Sequence, residues 1–181
     1  DFIKLCLNSD LSSEITLQPI KRFNLDSAII FSDILITPYA LGQNVIFKKD
    51  EGPELSEFKI EALRENNKEK FSQKLKSVYK AIEITRKKLD QDKSLICFVG
   101  APWTLLIYML RLKKDNNKLD LDKYKTYKTQ INQILSELND YLCIHINNQI
   151  NAGADVVQIF DSWAGLIPEE DIKDFCYIPN K

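Results

Sequence analysis

The sequence predicts an α/β fold in which parallel strands alternate with covering helices. Three apolar runs of strand length carry this prediction, at residues 28–31, 94–99 and 155–160. They are typical of strands buried on both faces, the pattern of parallel sheets rather than of half-exposed antiparallel ones. Longer stretches with helical spacing lie between them, and this alternation indicates parallel βα units.

The segment before the first strand predicts a helix. It starts at the polar residues Asn8-Ser-Asp10 and carries an apolar face toward Phe23. Pro19 lacks a backbone N–H, so we expect this helix to bend or break near residues 15–18.

Two long amphipathic stretches predict the main covering helices. In residues 69–89 the apolar positions form one helical stripe, consisting of Phe71, Leu75, Val78, Ile82 and Leu89. Residues 122–151 repeat the pattern over about 45 Å, a length at which we expect a break. The only histidine, His145, is interpreted as a polar position on this covering helix. Gly153 is suited to the position after the helix end.

Shorter signals predict the connections. Gly52-Pro53 between the apolar runs 45–47 and 55–58 predicts a hairpin or a small excursion. Gly100-Ala-Pro102 turns the chain from the second strand into a helix over residues 103–112. Another helix is expected to begin at residues 168–171.

Composition excludes several classes of function. The net charge of −1 over 181 residues supplies no large field, and the lysines lack the aromatic interleaving that binds single strands, so no nucleic-acid partner is expected. The chain has no signal peptide and no apolar run of transmembrane length, which predicts a cytoplasmic protein with no membrane partner. Its four cysteines are too widely spaced for a zinc motif and are interpreted as reduced thiols.

Asp33 is the most informative candidate site residue, because it follows directly on an apolar, strand-like run. An unpartnered buried carboxylate costs several kcal/mol, so we expect Asp33 at the exit of the strand, where a ligand or solvent reaches it. The alternative is a turn cap formed with Ser32. Asp161 and Ser162 follow the third strand in the same way, again with a capping turn as the alternative. Tyr108 is a site residue or a core aromatic.

Three blocks of sequence carry a family resemblance. They are Leu17–Phe23 together with Ala28–Gly42, then Gly100–Met109, then Ala152–Gly165. In order and spacing they resemble the uroporphyrinogen decarboxylase family, whose members fold as (β/α)8 barrels. A complete barrel takes about 250 residues. The resemblance therefore implies a single incomplete α/β-barrel domain over residues 1–181, roughly the first three strand–helix units of a partial TIM barrel.

The resemblance also implies an activity. Family enzymes are carboxy-lyases that use no metal or organic cofactor and remove the four acetate carboxyls of uroporphyrinogen III to give coproporphyrinogen III. Asp33 matches the family's catalytic and substrate-binding aspartate, which faces the pyrrole N–H groups; we expect nearby donors to keep its pKa low. Tyr108 and Ser162 match substrate-binding positions.

Parts of the family pattern are not in this chain. The arginine-rich segment that neutralises the eight substrate carboxylates is expected before Asp1, and a substrate-binding histidine after Lys181. We therefore expect the fragment alone to be inactive and the full-length protein to be a homodimer. The alternatives are a related methyltransferase that handles corrinoid or thiol substrates through zinc, and a non-catalytic porphyrinogen-binding or interaction fragment.

Overall fold

The computed structural model describes residues 2–48, 52–61, 63, 67–114 and 116–181. Its main sheet consists of strands β1 (Ser27–Ile29), β4 (Ser94–Gly100) and β5 (Val156–Phe160). The strands lie in the order β1-β4-β5 and both pairings are parallel. The prediction of an α/β fold with a parallel sheet is confirmed.

The predicted hairpin is also confirmed. Strands β2 (Val45–Lys48) and β3 (Gly52–Leu55) pair antiparallel, with Val45 opposite Leu55. The second strand begins at Gly52, earlier than the apolar run 55–58 suggested. Residues 49–51, part of the predicted turn, lie outside the described residues.

Along the chain, helices precede β1 and lie between the successive strands of the parallel sheet. Their bounds are α1 (Phe2–Cys6), α2 (Ser9–Phe23), α3 (Ile36–Ala40), α4 (Lys68–Lys74), α5 (Lys76–Lys88), α6 (Pro102–Met109) and α7 (Leu121–Asn151). The predicted helix over residues 69–89 is thus two helices that meet at Leu75. All five residues of its predicted stripe are buried. Residues 168–171 begin only short helical turns, a 3₁₀ turn Glu169–Asp171 and a π turn Lys173–Tyr177.

Neither α2 nor α7 is broken, so the break expected in α7 is wrong and the bend or break expected in α2 is not a break. Helix α2 continues through Pro19, because its ends are capped and its buried face holds it in place: Asn8 Oδ1 accepts the Leu11 N–H at 3.1 Å, and the Asn24 N–H reaches the Ile20 carbonyl. Helix α7 runs unbroken for 31 residues, since buried side chains recur along most of its length. Packing outweighs the local cost in both helices.

His145 is a further correction. It lies on α7 as predicted, but its side chain is only 1% exposed, and its Nδ1 lies 3.1 Å from the Tyr79 hydroxyl of α5. Burial lowers the pKa of His145 to about 3, so the ring is neutral. A neutral imidazole can pack as an aromatic ring does, and the ring of His145 contacts the rings of Phe71 and Tyr79. His145 therefore belongs to the buried face of α7 and not to a polar one.

The two faces of the parallel sheet differ in exposure. One face is covered by helices and contributes buried core residues, namely Ala28, Ile30, Leu95, Cys97 and Val99. The other face carries apolar side chains that are largely uncovered: Ile29 is 60% exposed, Val156 48% and Phe160 42%. Parallel sheets are ordinarily covered on both faces, so this bare face is unusual.

Candidate active site

The candidate site lies at the carboxyl edge of the parallel sheet. Because β1, β4 and β5 run in the same direction, the segments that follow them leave the sheet at one edge. Asp33 follows β1, Tyr108 lies on the helix that follows β4, and Ser162 follows β5. One strand, β4, separates β1 from β5, so the axes of these two strands lie ~10 Å apart.

Asp33 is half-buried in the turn between β1 and α3. Its Oδ1 accepts a hydrogen bond from the Leu35 N–H at 2.7 Å, so Asp33 forms a capping turn, but the Ser32 hydroxyl expected to share it has no hydrogen-bond partner among the described residues. Among the described residues this is the only hydrogen bond to the Asp33 carboxylate, and no described cation forms an ion pair with it. The carboxylate therefore has unused acceptor capacity.

The expected low pKa of Asp33 is wrong for this chain. Burial raises the pKa of the Asp33 carboxyl above its ordinary value, and the Leu35 N–H only partly opposes that rise. Asp33 also affects the neighbouring thiol of Cys6. The pKa of Cys6 is raised to about 12, mainly by burial and to a smaller extent by the negative charge of Asp33. One donor does not compensate a carboxylate for lost solvation.

The exit of β4 is tightly packed against the Asp33 turn. A Cβ added to Gly100 would lie 3.1 Å from the Ile34 Cβ and 2.8 Å from the Leu105 Cδ2. The Ala101 N–H then donates to the Phe160 carbonyl at 2.8 Å, which joins this exit to the end of β5. Gly100 thus allows the turn after β1 to approach the strand beside it.

Tyr108 and Ser162 are connected through Trp163. Tyr108 is the one side chain of α6 that is not fully buried, and its ring meets the ring of Trp163 edge to face, with centroids 6.2 Å apart. Ser162, next to Trp163, is exposed. The Lys113 ammonium lies 4.5 Å from the centroid of the Trp163 ring. Among the described residues, no hydrogen bond or ring contact joins Asp33 to Tyr108 or Ser162.

A partly buried polar network holds the loop that carries Ser162. The Thr104 hydroxyl of α6 donates to Asp161 Oδ1 at 2.7 Å and accepts the Trp163 N–H at 3.0 Å. The other oxygen of Asp161 accepts from the Cys176 thiol at 3.3 Å and from the Asn180 side-chain amide at 3.4 Å. Thr104 therefore secures the residues on both sides of Ser162.

Sequence reasoning missed Thr104 and the hydroxyl residues of α2. Thr104 lies four residues before Tyr108, so the two share a face of α6. Ser12 and Thr16 have the same spacing on the buried face of α2. Hydroxyls that recur every four residues on a buried helix face are the signal that would have found them.

The described residues provide neither a cluster of metal ligands nor a membrane-spanning helix. In the part of the chain that the structure describes, His, Cys, Asp and Glu side chains form no group of three or more suited to a metal ion. No described helix is long and apolar enough to span a bilayer.

Comparison with known proteins identifies the family. A model of the uroporphyrinogen decarboxylase (URO-D) family matches residues 1–181. The chain is 41% identical to uroporphyrinogen decarboxylase of Rickettsia bellii, covering 100% of this chain and 54% of that protein. It is 43% identical to uroporphyrinogen decarboxylase of Orientia tsutsugamushi, covering 98% and 52%.

A solved structure shares the fold. A methyltransferase from Methanosarcina mazei superposes with a TM-score of 0.71 over 96% of this chain and 52% of that one, at 17% sequence identity. The chain spans about half the length of the curated relatives that it matches. By its match along the whole length, the chain belongs to the uroporphyrinogen decarboxylase family.

Proposed function

We propose that the protein to which this chain contributes is a uroporphyrinogen decarboxylase that converts uroporphyrinogen III to coproporphyrinogen III without a cofactor. The observation that carries the proposal is the state of Asp33. Its carboxylate lies at a strand exit, receives a single hydrogen bond from the described residues and has no described cationic partner. A catalytic carboxylate needs this unused capacity for the substrate.

Asp33 would act by electrostatic stabilisation. Protonation of a pyrrole carbon makes the ring cationic, and that ring then accepts the electron pair left by the departing carbon dioxide. A fixed carboxylate facing the pyrrole N–H groups stabilises the cation. Bound pyrrole N–H groups would also add donors to the one from Leu35, and donors to an ionised carboxylate lower its pKa. The substrate itself would thus favour the charged form of Asp33.

Tyr108 and Ser162 are proposed to bind the carboxylate arms of the substrate. Support comes from their placement: Tyr108 is the least buried residue of α6, Ser162 is exposed, and Trp163 lies between them. Hydroxyl groups at these positions would donate to carboxylate oxygens. Arginines outside this chain are expected to supply most of the compensating charge.

We further propose that β1, β4 and β5 are the first three strands of a (β/α)8 barrel. The bare apolar face of the sheet supports this, because in a barrel it would line the interior and be packed by the remaining strands. Without them the fragment is expected to be inactive, and assaying it beside the full-length protein tests this. The full-length protein is expected to be a cytoplasmic homodimer. Light scattering measures its molar mass and so tests the oligomeric state.

The decisive experiment compares two Asp→Asn substitutions in the full-length protein. Asp33→Asn is expected to lower kcat on the order of 100- to 1,000-fold, because an amide lacks the charge that stabilises the cationic ring. Asp92→Asn is the matched control, since Asp92 is exposed in the turn before β4. Products are quantified from uroporphyrinogen III. Wild-type turnover by Asp33→Asn would exclude this role for Asp33.

The other functions receive no separate support. At 17% identity the Methanosarcina mazei structure shows the fold alone, and it does not favour methyl transfer. Zinc bound by the full-length protein would favour a methyltransferase. Binding of porphyrinogen without turnover would favour a non-catalytic role.

A further inference from the structure

The backbone of Phe31 is held by two helix side chains where β1 leaves the sheet. The Phe31 N–H donates to the Thr16 hydroxyl at 2.8 Å, and the Ser12 hydroxyl donates to the Phe31 carbonyl at 2.6 Å. Both side chains lie on α2 and are buried, Ser12 at 1% and Thr16 at 4% exposure. We call this pair with Phe31 the hydroxyl clamp.

The hydroxyl clamp replaces a strand partner. The residue before it still belongs to the sheet, since the Ile30 N–H donates to the Ile96 carbonyl at 2.9 Å. The main-chain groups of the next residue, Phe31, face the opposite side of the strand, away from β4, and both contact α2. A buried main-chain group needs a partner, and on this free side of β1 the two hydroxyls supply it at the exit of the strand.

Every hydroxyl hydrogen in the clamp has an acceptor. The Thr16 hydroxyl donates to the Ser12 carbonyl at 2.7 Å, which leaves its lone pairs to accept the Phe31 N–H. The Ser12 hydroxyl hydrogen is used on the Phe31 carbonyl. The ring of Phe31 is held as well, with its centroid 5.8 Å from that of Phe2. The arrangement therefore has one geometry rather than several.

We propose that Ser12 and Thr16 are positioning residues that set the place of Asp33. The clamp is two residues before Asp33, and the Leu35 N–H holds the carboxylate from the other side. Between them they fix the direction in which the turn presents the charge. A displacement of about 1 Å at a catalytic group costs on the order of 100-fold in rate. The inference rests on the proposed function of Asp33.

The test uses the full-length protein and substitutions at Thr16. Thr16→Val keeps the shape of the side chain and removes the hydroxyl; we expect kcat to fall about 10- to 100-fold with KM changed less than threefold. Thr16→Ser keeps the hydroxyl and is expected to restore kcat to within about threefold of wild type. Hydrogen exchange of the Phe31 amide should become faster in Thr16→Val alone.

Two controls separate positioning from stability. Ser13→Ala removes a neighbouring hydroxyl that is also buried but has no hydrogen-bond partner among the described residues, and it should leave kcat unchanged. Ile131→Val destabilises the core of α7 and should lower the melting temperature without lowering kcat. If Thr16→Val does not fold, Ser12→Ala provides the same comparison at the Phe31 carbonyl.

The outcomes distinguish this inference from the proposed function. Wild-type kcat in a folded Thr16→Val protein, or equal losses in Thr16→Val and Thr16→Ser, would overturn the positioning role. Full activity of Asp33→Asn would instead overturn the proposed role of Asp33. Phe31 amide exchange reports on the clamp in either case, and unchanged protection in Thr16→Val would show that the hydroxyl does not hold Phe31.

Discussion

The exits of β1 and β5 each present an aspartate at the same edge of the sheet, but the two carboxylates are in opposite states. Asp161 accepts hydrogen bonds from three side chains, those of Thr104, Cys176 and Asn180. From the residues that the structure describes, Asp33 accepts one, from a main-chain N–H, and burial raises its pKa. At β1 the helix hydroxyls hold the backbone; at β5 the Thr104 hydroxyl holds the carboxylate itself.

The difference separates a structural carboxylate from a candidate catalytic one. The side chains that donate to Asp161 connect its loop to α6 and occupy most of the acceptor capacity of the carboxylate, so little of that capacity is available to a ligand. Fixing the backbone at Phe31 leaves the Asp33 carboxylate incompletely satisfied. An incompletely satisfied buried carboxylate lowers stability, and such a cost is typical of functional sites.

The largest expected difference lies in stability, which only one of the two Asp→Asn substitutions should lower. Asp161→Asn places an amide among three donors, so we expect the free energy of unfolding to fall by about 2–4 kcal/mol. Asp33→Asn removes a charge that burial disfavours and should leave stability unchanged or slightly raised. Urea unfolding of the full-length protein measures both. Equal losses would remove the distinction between the two exits.

A smaller effect is expected at Gly100, where the exits of β1 and β4 touch. Gly100→Ala adds a methyl group 3.1 Å from the Ile34 Cβ and 3.0 Å from the Leu105 Cγ, and such overpacking costs about 1–3 kcal/mol. Because Ile34 follows Asp33, kcat should fall as well. Gly165→Ala is the control in the β5 exit loop, since no atom lies within 4 Å of its added Cβ. Equal melting temperatures for the two variants would contradict this packing.

The smallest effect is a dependence of stability on pH, to which His145 contributes from the core beneath α7. The pKa of His145 is lowered to about 3 in the folded protein, against an ordinary value near 6.5. The unfolded chain therefore binds the proton first as pH falls, and stability is lost below pH 6.5. One such group accounts for about 1 kcal/mol between pH 7 and pH 5.5.

His145→Gln should remove this dependence, measured by urea unfolding at the two pH values. Asp33 acts with the opposite sign: its pKa is raised, so the folded protein takes up a proton more readily than the unfolded chain, and the cost of its charge is relieved as pH falls. When the measurements are extended into the acid range, where carboxyl groups take up protons, the slopes of Asp33→Asn and His145→Gln should therefore depart from wild type in opposite directions. Parallel slopes would contradict one of the two pKa shifts.

Much of the fold was predictable because it depends on neighbouring residues. Apolar runs marked β1, β4 and β5, the stripe from Phe71 to Leu89 marked the covering helices, and Gly153 has the positive φ of 112° expected after a helix. Helix continuity was not predictable in this way. Pro19 removes a hydrogen bond from α2, and a helix as long as α7 is expected to break. In both helices packing against residues distant in sequence outweighs this local effect.

Residue types and their spacing by themselves determined the parallel strands, the helix faces and the place of Asp33 at a strand exit. Only the tertiary structure decided which carboxylate is satisfied and how the exits are held. The donors are far away in sequence: Ser12 lies 19 residues from Phe31, and Thr104 lies 57 residues from Asp161. Periodicity reports on the near neighbours of a residue, whereas a hydrogen bond between elements exists only after the chain has folded them together.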